Sequence, residues 1–515
     1  MKISELLQRI DYTVLQGDLS EEITGICHDN RMLQEGDAFI CIAGARFDTH
    51  TMAKELAKKA ALLVVEKPVE LDADCKTAVV QVASTRDVVA ALAAAFYGYP
   101  SEKMVCIGIT GSKGKTTCTH MMADILRAAG YLTGTIGTNG AILPTGCDHA
   151  VWGSNKYSCA PCNETPGYDC YELNNTTPDP MELQMYLAMM VKAGCTHVVL
   201  EVSSQGMKQK RVATVDFAYG VWTNIETGDH IGPNEHKDFE EYMHCKSLLF
   251  RQCRLGIFNG DDEHLEGIMK GHTCEVETFG YKSINNLVAE NVELKKEHGA
   301  LGVKYHVSGL LDFDVEVNVP GKFSVYNSLT AIAICHHFNV AKEAIKEALC
   351  HVSVKGRIEI VPVTKRYTIM IDYAHNAMAL ESLLTTLKEY EPGRLVCLFG
   401  CGGNRAKSRR YEMGEVSSRL ADLTVVTSDN PRNEEPMDII NDILVGVSKA
   451  DGRYVTIPDR KEAIRYCMEN AQAGDIIVLA GKGHEDYQEI CGVKHHMDER
   501  EIIADIIKEN PDLKL

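Results

Sequence analysis

The segment Met104-Val-Cys-Ile-Gly-Ile-Thr-Gly-Ser-Lys-Gly-Lys-Thr-Thr117 decides the fold of this chain. Its apolar half, Met104 to Ile109, predicts a buried strand, and Thr110 to Gly114 predicts a glycine-rich loop. Apolar residues recur at helical spacing after Lys115, and Gly130 is placed to end that helix. A strand, a glycine loop and a helix in this order cradle phosphate groups in many proteins. We therefore predict a nucleoside triphosphate site.

The residue types of the loop each suit phosphate binding. Backbone N–H groups would face the anion, Lys115 would reach the outer phosphates, and Thr116 would supply an oxygen ligand for Mg²⁺. The strict pattern has a glycine where this chain has Ile109, so an ordinary strand-to-helix turn is the alternative. The flanking strand and helix favour the phosphate site. The predicted ATP contacts are Thr110, Gly111, Ser112, Lys113, Gly114, Lys115, Thr116 and Thr117.

The composition is that of a globular protein with several domains. At 515 residues the chain is too long for one core, so two to four domains are expected. Fifty-three basic and 72 acidic residues give a net charge of −19, which argues against nucleic acid or an anionic membrane as a main partner. The sequence shows no signal-peptide pattern and no apolar stretch that could span a bilayer. Because most of the 19 cysteines lie in apolar runs, as reduced thiols do, we expect a cytoplasmic protein.

Strands and helices alternate along the chain, which predicts an α/β protein with parallel sheets. We expect three domains: a small N-terminal α/β domain over residues 1–100, a central ATP-binding domain over 101–350, and a Rossmann-like C-terminal domain over 351–515. Most of the predicted strands end in polar residues. Ligands of open parallel sheets bind beyond the carboxyl ends of the strands, so the chemistry is expected there.

Two strand ends in the central domain carry candidate metal ligands. Glu201 closes the apolar run Val198 to Leu200, and His230 follows the next strand as part of an Asp-His pair. A carboxylate at a strand end near a phosphate loop commonly holds Mg²⁺. The alternative is a surface glutamate and a core histidine bonded to the backbone. The shared strand-end position favours the metal site.

Further motifs occur in a fixed order along nearly the whole chain. They are Asp29-Asn-Arg31, Asn175-Thr-Thr-Pro-Asp179, Glu201-Val-Ser-Ser-Gln-Gly206, Tyr242 to Lys246, Asp372-Tyr-Ala-His375, Gly400 to Arg405, Asp429-Asn-Pro-Arg432 and Gly481-Lys-Gly-His-Glu485. Together with the phosphate loop, this set resembles the Mur ligase family, whose members join amino acids to UDP-N-acetylmuramoyl peptides. The resemblance is strongest to the members that add the third residue of the peptide, meso-diaminopimelate or lysine.

This resemblance implies an amide-forming ligase of peptidoglycan precursor synthesis. ATP would phosphorylate a carboxylate of UDP-N-acetylmuramoyl-L-alanyl-D-glutamate, and the acceptor amine would displace phosphate through a tetrahedral intermediate. Lys115 and Mg²⁺ would neutralise charge on the transferred phosphoryl group. Lys246 aligns with the lysine that the family carbamylates, so the implied Mg²⁺ ligands are Thr116, Glu201, His230 and carbamylated Lys246. An exposed helix lysine is the plainer interpretation of Lys246.

The resemblance also assigns the contacts to the two larger substrates. Those implied for the UDP-muramoyl-dipeptide are Asn30, Asn175, Thr176, Thr177, Ser203, Gln209 and Arg211. Those implied for the adenosine are Asn259, Tyr326, Asn327 and Arg357. The family commonly has a serine where Asn30 stands, so the uridine contact is expected to differ.

The prediction of the acceptor rests on Asp429-Asn-Pro-Arg432, because family members that use diaminopimelate carry this motif. The planar guanidinium of Arg432 can bind, with two hydrogen bonds, the carboxylate that diaminopimelate has and lysine lacks. A surface arginine after a turn is the alternative. Glu485 is suited to the distal ammonium. The full implied acceptor set is Arg405, Asp429, Asn430, Pro431, Arg432, Gly481 and Glu485.

Residues 146–173 form an insertion relative to the family pattern. It contains Cys147, Cys159, Cys162 and Cys170, which could bind Zn²⁺. A loop with incidental thiols is the favoured alternative, because the outer spacings are not diagnostic. A second departure is Asn376-Ala377, where the family commonly has Thr-Pro after Asp372-Tyr-Ala-His375.

The sequence thus predicts a monomeric ligase that uses ATP, Mg²⁺, UDP-N-acetylmuramoyl-dipeptide and meso-diaminopimelate, with domain closure assembling the site. Three alternatives stay open. The same ligation could use lysine or another diamino acid. A folyl-polyglutamate-type ligase would share the ATPase and C-terminal domains, although the N-terminal domain and the Asp-Asn-Pro-Arg motif argue against it. A paralogue that binds UDP-muramoyl-peptides and regulates is disfavoured by the intact Lys115, Glu201, His230 and Lys246.

Overall fold

The computed structural model describes residues 1–44, 47–146, 159–162, 165–227, 230–232, 235–297 and 300–514. The chain forms two compact units, Met1–Thr278 and Phe279–Leu515. Both units are built from alternating strands and helices, which confirms the α/β class. Within the described ranges, no helix is long and apolar enough to cross a membrane.

The first unit begins with a five-stranded sheet in the order β1-β5-β4-β3-β2. Strand β4 is entirely buried, as its run of Leu and Val residues predicts. The elements are α1 (Ile3–Leu6), β1 (Thr13–Gln16), β2 (Ile26–Cys27), β3 (Ala38–Ile40), α2 (Ala53–Leu56), β4 (Leu62–Val65), β5 (Ala78–Gln81) and α3 (Thr85–Phe96).

Helix α2 has only four residues. A 3₁₀ turn, Thr49–Met52, leads into α2, and residues 57–59 continue as turns. The hydroxyl of Thr77 donates hydrogen bonds to the carbonyls of Ala57 (2.7 Å) and Ala60 (3.0 Å). These carbonyls are thus satisfied by a side chain and not by continuation of the helix.

The central part of the first unit is a larger sheet. Its elements are β6 (Val105–Thr110), α4 (Lys115–Ala128), β7 (Thr133–Gly137), β8 (Gly140–Pro144), β9 (Cys159–Pro161), β10 (Tyr168–Tyr171), α5 (Pro180–Lys192), β11 (His197–Glu201), α6 (Ser204–Lys208), β12 (Phe217–Trp222), α7 (Phe239–Ser247), β13 (Cys253–Asn259) and α8 (Leu265–Met269). Strand β14 (Glu275–Gly280) runs across the division between the two units.

Strand β6 lies inside this sheet, in which strands of the first unit follow the order β13-β12-β6-β11-β7-β8-β10-β9. Its neighbours β11 and β12 are parallel to it, and Ile109 is level with Glu201 on one side and with Val221 on the other. The carboxyl ends of β11, β6 and β12 therefore coincide at one edge. The phosphate loop leaves the sheet at this edge, as the sequence predicts.

The insertion adds two antiparallel strands to the sheet. Strand β10 pairs with β8, and Cys170 is level with Ile142. Strand β9 pairs with β10 at the outer edge. The part of the insertion that the structure describes is thus strand and not only loop.

The described part of the second unit contains the antiparallel strands β15 to β17, a six-stranded sheet, a two-stranded sheet and the helices α9 to α15. Its elements are β15 (Leu287–Glu297), β16 (Ala300–Gly309), β17 (Phe313–Val317), α9 (Phe323–His336), α10 (Lys342–His351), β18 (Glu359–Val361), β19 (Thr368–Asp372), α11 (Ala377–Lys388), β20 (Leu395–Phe399), α12 (Lys407–Leu420), β21 (Leu423–Val426), α13 (Pro436–Val447), β22 (Tyr454–Thr456), α14 (Arg460–Glu469), β23 (Ile476–Ala480), β24 (Tyr487–Ile490), β25 (Val493–His496) and α15 (Glu499–Glu509).

The six-stranded sheet has the order β18-β19-β23-β20-β21-β22. Strand β23 is parallel to both neighbours, and Ala480 is level with Asp372 and with Phe399. The loops that begin near residues 373, 400, 427 and 481 thus leave the sheet at one edge. The last three of these loops carry the predicted acceptor residues.

Candidate active site

Two glycines give the phosphate loop its shape. Gly111 has φ +151°, and a Cβ atom there would lie 1.9 Å from the Thr223 hydroxyl oxygen. Gly114 has φ +86° and immediately precedes α4. Side chains are disfavoured at both positions, at the first by a clash and at the second by backbone conformation. The loop closes tightly over the ends of β6 and β12.

Lys115 lies over this loop. Its Nζ atom donates hydrogen bonds to the carbonyl of Gly111 (2.8 Å) and to that of Ser112 (3.0 Å). These bonds hold the ammonium at the N-terminus of α4. A cation and a helix N-terminus that lie together favour a bound anion.

Glu201 is buried beside the first turn of α4. Its side chain accepts hydrogen bonds from the Thr116 hydroxyl (3.0 Å), the Thr138 N–H (2.9 Å) and the Thr138 hydroxyl (3.2 Å). A Cβ atom at Gly137 would lie 2.2 Å from the carboxylate, so glycine leaves it room. Hydrogen bonds of this kind keep a buried carboxylate from being strongly unfavourable.

The pair of Thr116 and Glu201 fits a magnesium ion. A hydroxyl oxygen and a carboxylate oxygen 3.0 Å apart are hard donors of the type Mg²⁺ prefers. No group of three or more His, Cys, Asp or Glu side chains that could hold a metal ion occurs among the described residues. Mg²⁺ that is bound together with phosphates usually has only one or two carboxylate ligands from the protein.

Lys246 lies next to the phosphate loop. It is 1% exposed, and its Nζ atom donates a 2.6 Å hydrogen bond to the Gly111 carbonyl. The ring of Tyr242 lies 4.6 Å from the ammonium, and its hydroxyl is 2.8 Å from that of Ser112. The plainer interpretation, an exposed helix lysine, is wrong. As an ammonium Lys246 only donates hydrogen bonds, so metal ligation requires the carbamate that the resemblance implies.

His230 lies on the Tyr242 side of the loop. Its ring centroid is 5.7 Å from that of Tyr242, and Nδ1 is 3.5 Å from a carboxylate oxygen of Glu235. The side chain is 48% exposed and the backbone φ is +54°. Asp229, the first residue of the predicted Asp-His pair, lies outside the described residues.

The residues predicted for the donor peptide surround Thr177. Its hydroxyl donates to the Glu201 carbonyl (2.9 Å) and accepts from the Ser203 N–H (2.9 Å). Arg211 donates to the Thr177 carbonyl (2.6 Å) and to the side-chain oxygen of Gln209 (2.7 Å). Burial lowers the pKa of Arg211. These four residues therefore form one network next to the buried carboxylate of Glu201.

The other donor residues border this network. The hydroxyls of Thr176 and Thr138 are 3.1 Å apart, whereas Asn175 is exposed. Asn30 is also exposed, and its amide nitrogen is 3.8 Å from the sulfur of Met52.

The predicted adenosine contacts fall in both units. In the first unit, Asn259 ends β13 and donates a 2.9 Å hydrogen bond to the Thr223 carbonyl, close to the phosphate loop. In the second unit, the ring of Tyr326 lies 4.9 Å from that of Tyr281, and the neighbouring Asn327 is buried. The guanidinium of Arg357 lies 4.8 Å from the centre of the Tyr373 ring.

The acceptor motif forms a second buried network. Asn430 donates to Oε2 of Glu485 (2.8 Å), and its side-chain oxygen accepts from the Lys482 ammonium (2.9 Å). Lys482 also donates to Glu485 Oε2 at 2.9 Å. Gly481 has φ +109°, and a Cβ atom there would lie 2.9 Å from the carboxylate of Asp429. The motifs 429–432 and 481–485 are thus joined in the fold.

Arg432 extends this network. Its Nε atom donates to Glu489 (3.0 Å) and its Nη1 atom to the Gly403 carbonyl (2.8 Å). The residue has φ +51°, and its N–H donates to the Glu489 carbonyl at 3.0 Å. Arg405, two residues after Gly403, is exposed. The surface-arginine interpretation of Arg432 is not favoured, because the side chain is only 24% exposed.

Comparison with known proteins identifies the family. A family model for the Mur ligase middle domain matches residues 109–335, and one for the Mur ligase glutamate ligase domain matches residues 356–483. UDP-N-acetylmuramoyl-L-alanyl-D-glutamate--2,6-diaminopimelate ligase of Clostridium perfringens is 36% identical over 516 residues, which cover 99% of this chain and 100% of the relative. The chain belongs to the Mur ligase family.

Further Mur ligases match over the same length. Ligase 1 of the same name from Clostridium acetobutylicum is 37% identical, with 99% of this chain and 100% of the relative covered. A solved structure of a UDP-N-acetylmuramoyl-L-alanyl-D-glutamate--2,6-diaminopimelate ligase superposes with a TM-score of 0.69 at 25% identity, covering 99% of both chains. The three-domain Mur ligase fold is therefore shown for this chain.

The departure of this Mur ligase at Asn376 has a structural explanation. Asn376 is the N-cap of α11, and its side-chain oxygen accepts a 2.9 Å hydrogen bond from the Ala379 N–H. Threonine also caps helices in this way. The substitution thus preserves the start of the helix and gives no support to a regulatory paralogue.

No role is assigned from the sequence to three residues of the two networks: Thr138, Lys482 and Glu489. Thr138 follows Gly137 at the end of a strand, and that strand-end position is the signal that could have identified it. Lys482 lies inside the motif 481–485, in which the resemblance assigns acceptor contacts only to Gly481 and Glu485. Glu489 is recognisable only from its position next to Arg432 in the fold.

Proposed function

We propose that this chain is an ATP-dependent ligase that joins meso-diaminopimelate to UDP-N-acetylmuramoyl-L-alanyl-D-glutamate. Relatives that match it over 99% of its length carry this activity in their names. The Asp429-Asn-Pro-Arg432 motif supports the same acceptor, because Arg432 can bind a second carboxylate. We place the enzyme in the cytoplasm as a monomer, without a nucleic-acid or membrane partner.

The observation that carries the proposal is the buried carboxylate of Glu201 beside Thr116. Burying a carboxylate costs several kcal/mol unless hydrogen bonds compensate for the lost water. Thr116 and Thr138 provide three such bonds at the N-terminus of α4, where the phosphates of a nucleotide would lie. This arrangement suits phosphoryl transfer from ATP.

The chain's own groups then have definite tasks. Lys115 binds the outer phosphates, and Thr116 and Glu201 would hold Mg²⁺. Mg²⁺, when bound, supplies positive charge that offsets the negative charge of the phosphoryl group. Thr138 connects Glu201 to Thr176, which we propose to contact the donor peptide, so nucleotide and donor carboxylate meet at this edge.

The reaction proceeds in two steps. The donor carboxylate oxygen attacks the terminal phosphorus of ATP, and ADP leaves. The acceptor amine then attacks the acyl carbon, the C–O bond to phosphate breaks, and the amine loses a proton. Asn430, Arg432 and Glu485 would position the acceptor for this second step.

We also propose that Lys246 is carbamylated and that His230 and carbamylated Lys246 complete the magnesium site. The burial of Lys246 against the phosphate loop supports this, since a carbamate would replace a buried positive charge with oxygen ligands. The other predicted contacts of the donor and the adenosine remain part of the same proposal.

For the insertion we propose incidental thiols and no zinc site. Cys162 packs with Ile142 and Tyr168 in an apolar cluster, and the thiol of Cys170 donates to the Asn139 carbonyl at 3.2 Å. Cys147 lies outside the described residues, and only the backbone of Cys159 is described. Elemental analysis of the purified protein should find far less than one zinc per chain. One equivalent would contradict the proposal.

Phosphate release tests the function. The protein is incubated with ATP, Mg²⁺ and UDP-N-acetylmuramoyl-L-alanyl-D-glutamate, with meso-diaminopimelate or L-lysine in parallel. Turnover with diaminopimelate alone is expected. Turnover with lysine alone would keep the ligase and refute the acceptor, and no turnover with either would refute the ligase assignment.

A further inference from the structure

Lys482 is a charged residue in the network that joins the motifs 429–432 and 481–485. Neither the sequence motifs nor the proposed reaction assigns it a role. It is 0% exposed, in the loop that follows β23. Its ammonium donates to Asn430 Oδ1, to Glu485 Oε2 and to the Tyr487 carbonyl. An ammonium has three N–H donors. Three acceptors, Asn430 from one chain segment and Glu485 and Tyr487 from another, therefore fix its position.

The contact to Asn430 determines which way its amide faces. The side-chain oxygen accepts from Lys482 and from the Glu489 N–H, both at 2.9 Å, while the nitrogen donates to Glu485 Oε2 at 2.8 Å. A reversed amide would point its NH₂ group at the ammonium and at an N–H group, which are both donors. Lys482 thus helps to fix the orientation of Asn430.

The contact to Glu485 determines which of its oxygens faces outward. Oε2 accepts from both Lys482 and Asn430. For Oε1 the described part of the chain shows no hydrogen bond, and the side chain is 16% exposed. Oε1 is therefore the oxygen that an incoming ammonium would meet. The ammonium of Lys482 also offsets the negative charge of the Glu485 carboxylate, which is mostly buried.

We infer that Lys482 is a positioning residue for the acceptor: it orients Asn430 and Glu485 so that Glu485 Oε1 receives the distal ammonium of a diamino acid. This inference rests on the proposed function. It assigns Lys482 no contact with ATP or with the donor peptide. Removal of the ammonium should thus weaken the binding of the acceptor and leave the binding of ATP and of the donor peptide unchanged.

The test uses the full-length enzyme and the variants Lys482→Met, Glu485→Gln and the double variant. Phosphate release is measured while ATP, donor and meso-diaminopimelate are varied in turn. Lys482→Met should raise the KM for diaminopimelate about 10- to 100-fold, the range expected for lost hydrogen bonds to charged groups. The KM values for ATP and donor should stay within about twofold. Lys508→Met, which removes an exposed lysine of α15 that pairs with Asp505 at 3.1 Å, is the control.

The double variant separates positioning from folding. If Lys482 acts through Glu485, Lys482→Met should add little to the KM increase that Glu485→Gln already causes. The inference would be overturned if the effects of the two substitutions on the KM for diaminopimelate were fully additive. It would also be overturned if Lys482→Met left this KM unchanged, or raised the KM values for all three substrates equally. Failure of both Lys482 variants to fold would also overturn it, because the residue would then serve the fold. A wild-type enzyme without turnover would instead refute the proposed function itself.

Discussion

Replacing Arg432 with lysine should reduce the use of diaminopimelate and leave the use of lysine almost unchanged. In the structure the guanidinium is held by Glu489 at 3.0 Å and by the Gly403 carbonyl at 2.8 Å, and the side chain is 24% exposed. Its planar face is thus fixed before a ligand arrives. A lysine keeps the charge but can neither make both contacts nor form a two-bonded pair with a carboxylate.

The expected magnitude follows from the bonds that are lost. A hydrogen bond between charged groups contributes about 1.5–3 kcal/mol. Loss of one such bond to the distal carboxylate should lower kcat/KM for diaminopimelate roughly 10- to 150-fold. Lysine has no distal carboxylate, so any turnover with it should change less than about threefold.

Phosphate release with each acceptor measures this effect, and thermal unfolding shows whether the variant is folded. Arg419→Lys is a matched control, because Arg419 makes a surface ion pair with Glu381 at 2.6 Å and is 51% exposed. Its kinetics should match the wild type. Equal losses for both acceptors, or an unchanged kcat/KM for diaminopimelate in Arg432→Lys, would refute the reasoning.

Three further outcomes are expected. Lys115→Ala should abolish ATP-dependent phosphate release without altering the circular dichroism spectrum, and turnover within tenfold of wild type would contradict its role. Gly111→Ala should lower the melting temperature more than Gly130→Ala. Both glycines have positive φ, but only the Cβ atom at position 111 would clash, at 1.9 Å from Thr223 Oγ1. Equal decreases in melting temperature would contradict this. Burial lowers the pKa of His484 to about 4, so the unfolded chain binds a proton below about pH 6.5 that the folded chain does not. As the pH falls from 6.5 to 4, the free energy of unfolding should decrease by at most about 3 kcal/mol, and it should decrease less in His484→Gln than in the wild type. Urea titrations that give the same pH dependence for both proteins would contradict this.

The sequence predicted the local elements well where hydrophobic runs are bounded by polar or glycine residues. The apolar runs Leu395–Phe399 and Ile476–Ala480, each followed by a glycine, form strands over their whole length. Asp179 caps the helix that begins at Pro180, as its residue type indicates. Local pattern does not show where α2 ends, because a distant hydroxyl, that of Thr77, bonds carbonyls just beyond Leu56.

Candidate site residues could be predicted where they belong to a motif. Their hydrogen-bond and ion-pair partners could not. Glu201 follows from its place at a strand end, but the hydrogen bonds from Thr138 depend on the pairing of β7 with β11. Arg432 follows from its motif, whereas its ion pair with Glu489 joins residues 57 positions apart. No pattern within a short window contains such a pair.

The sequence by itself determined the α/β class, the phosphate loop and the ordered motifs of a Mur ligase, because these depend on residue type and short spacing. Only the tertiary structure decided which side chains meet. It placed Lys246 under the phosphate loop and Lys482 between Asn430 and Glu485. The physical reason is burial, because a polar group withdrawn from water must find hydrogen-bond partners. Gly111 is 135 positions from Lys246 and Asn430 is 52 positions from Lys482, so only the fold brings these partners together.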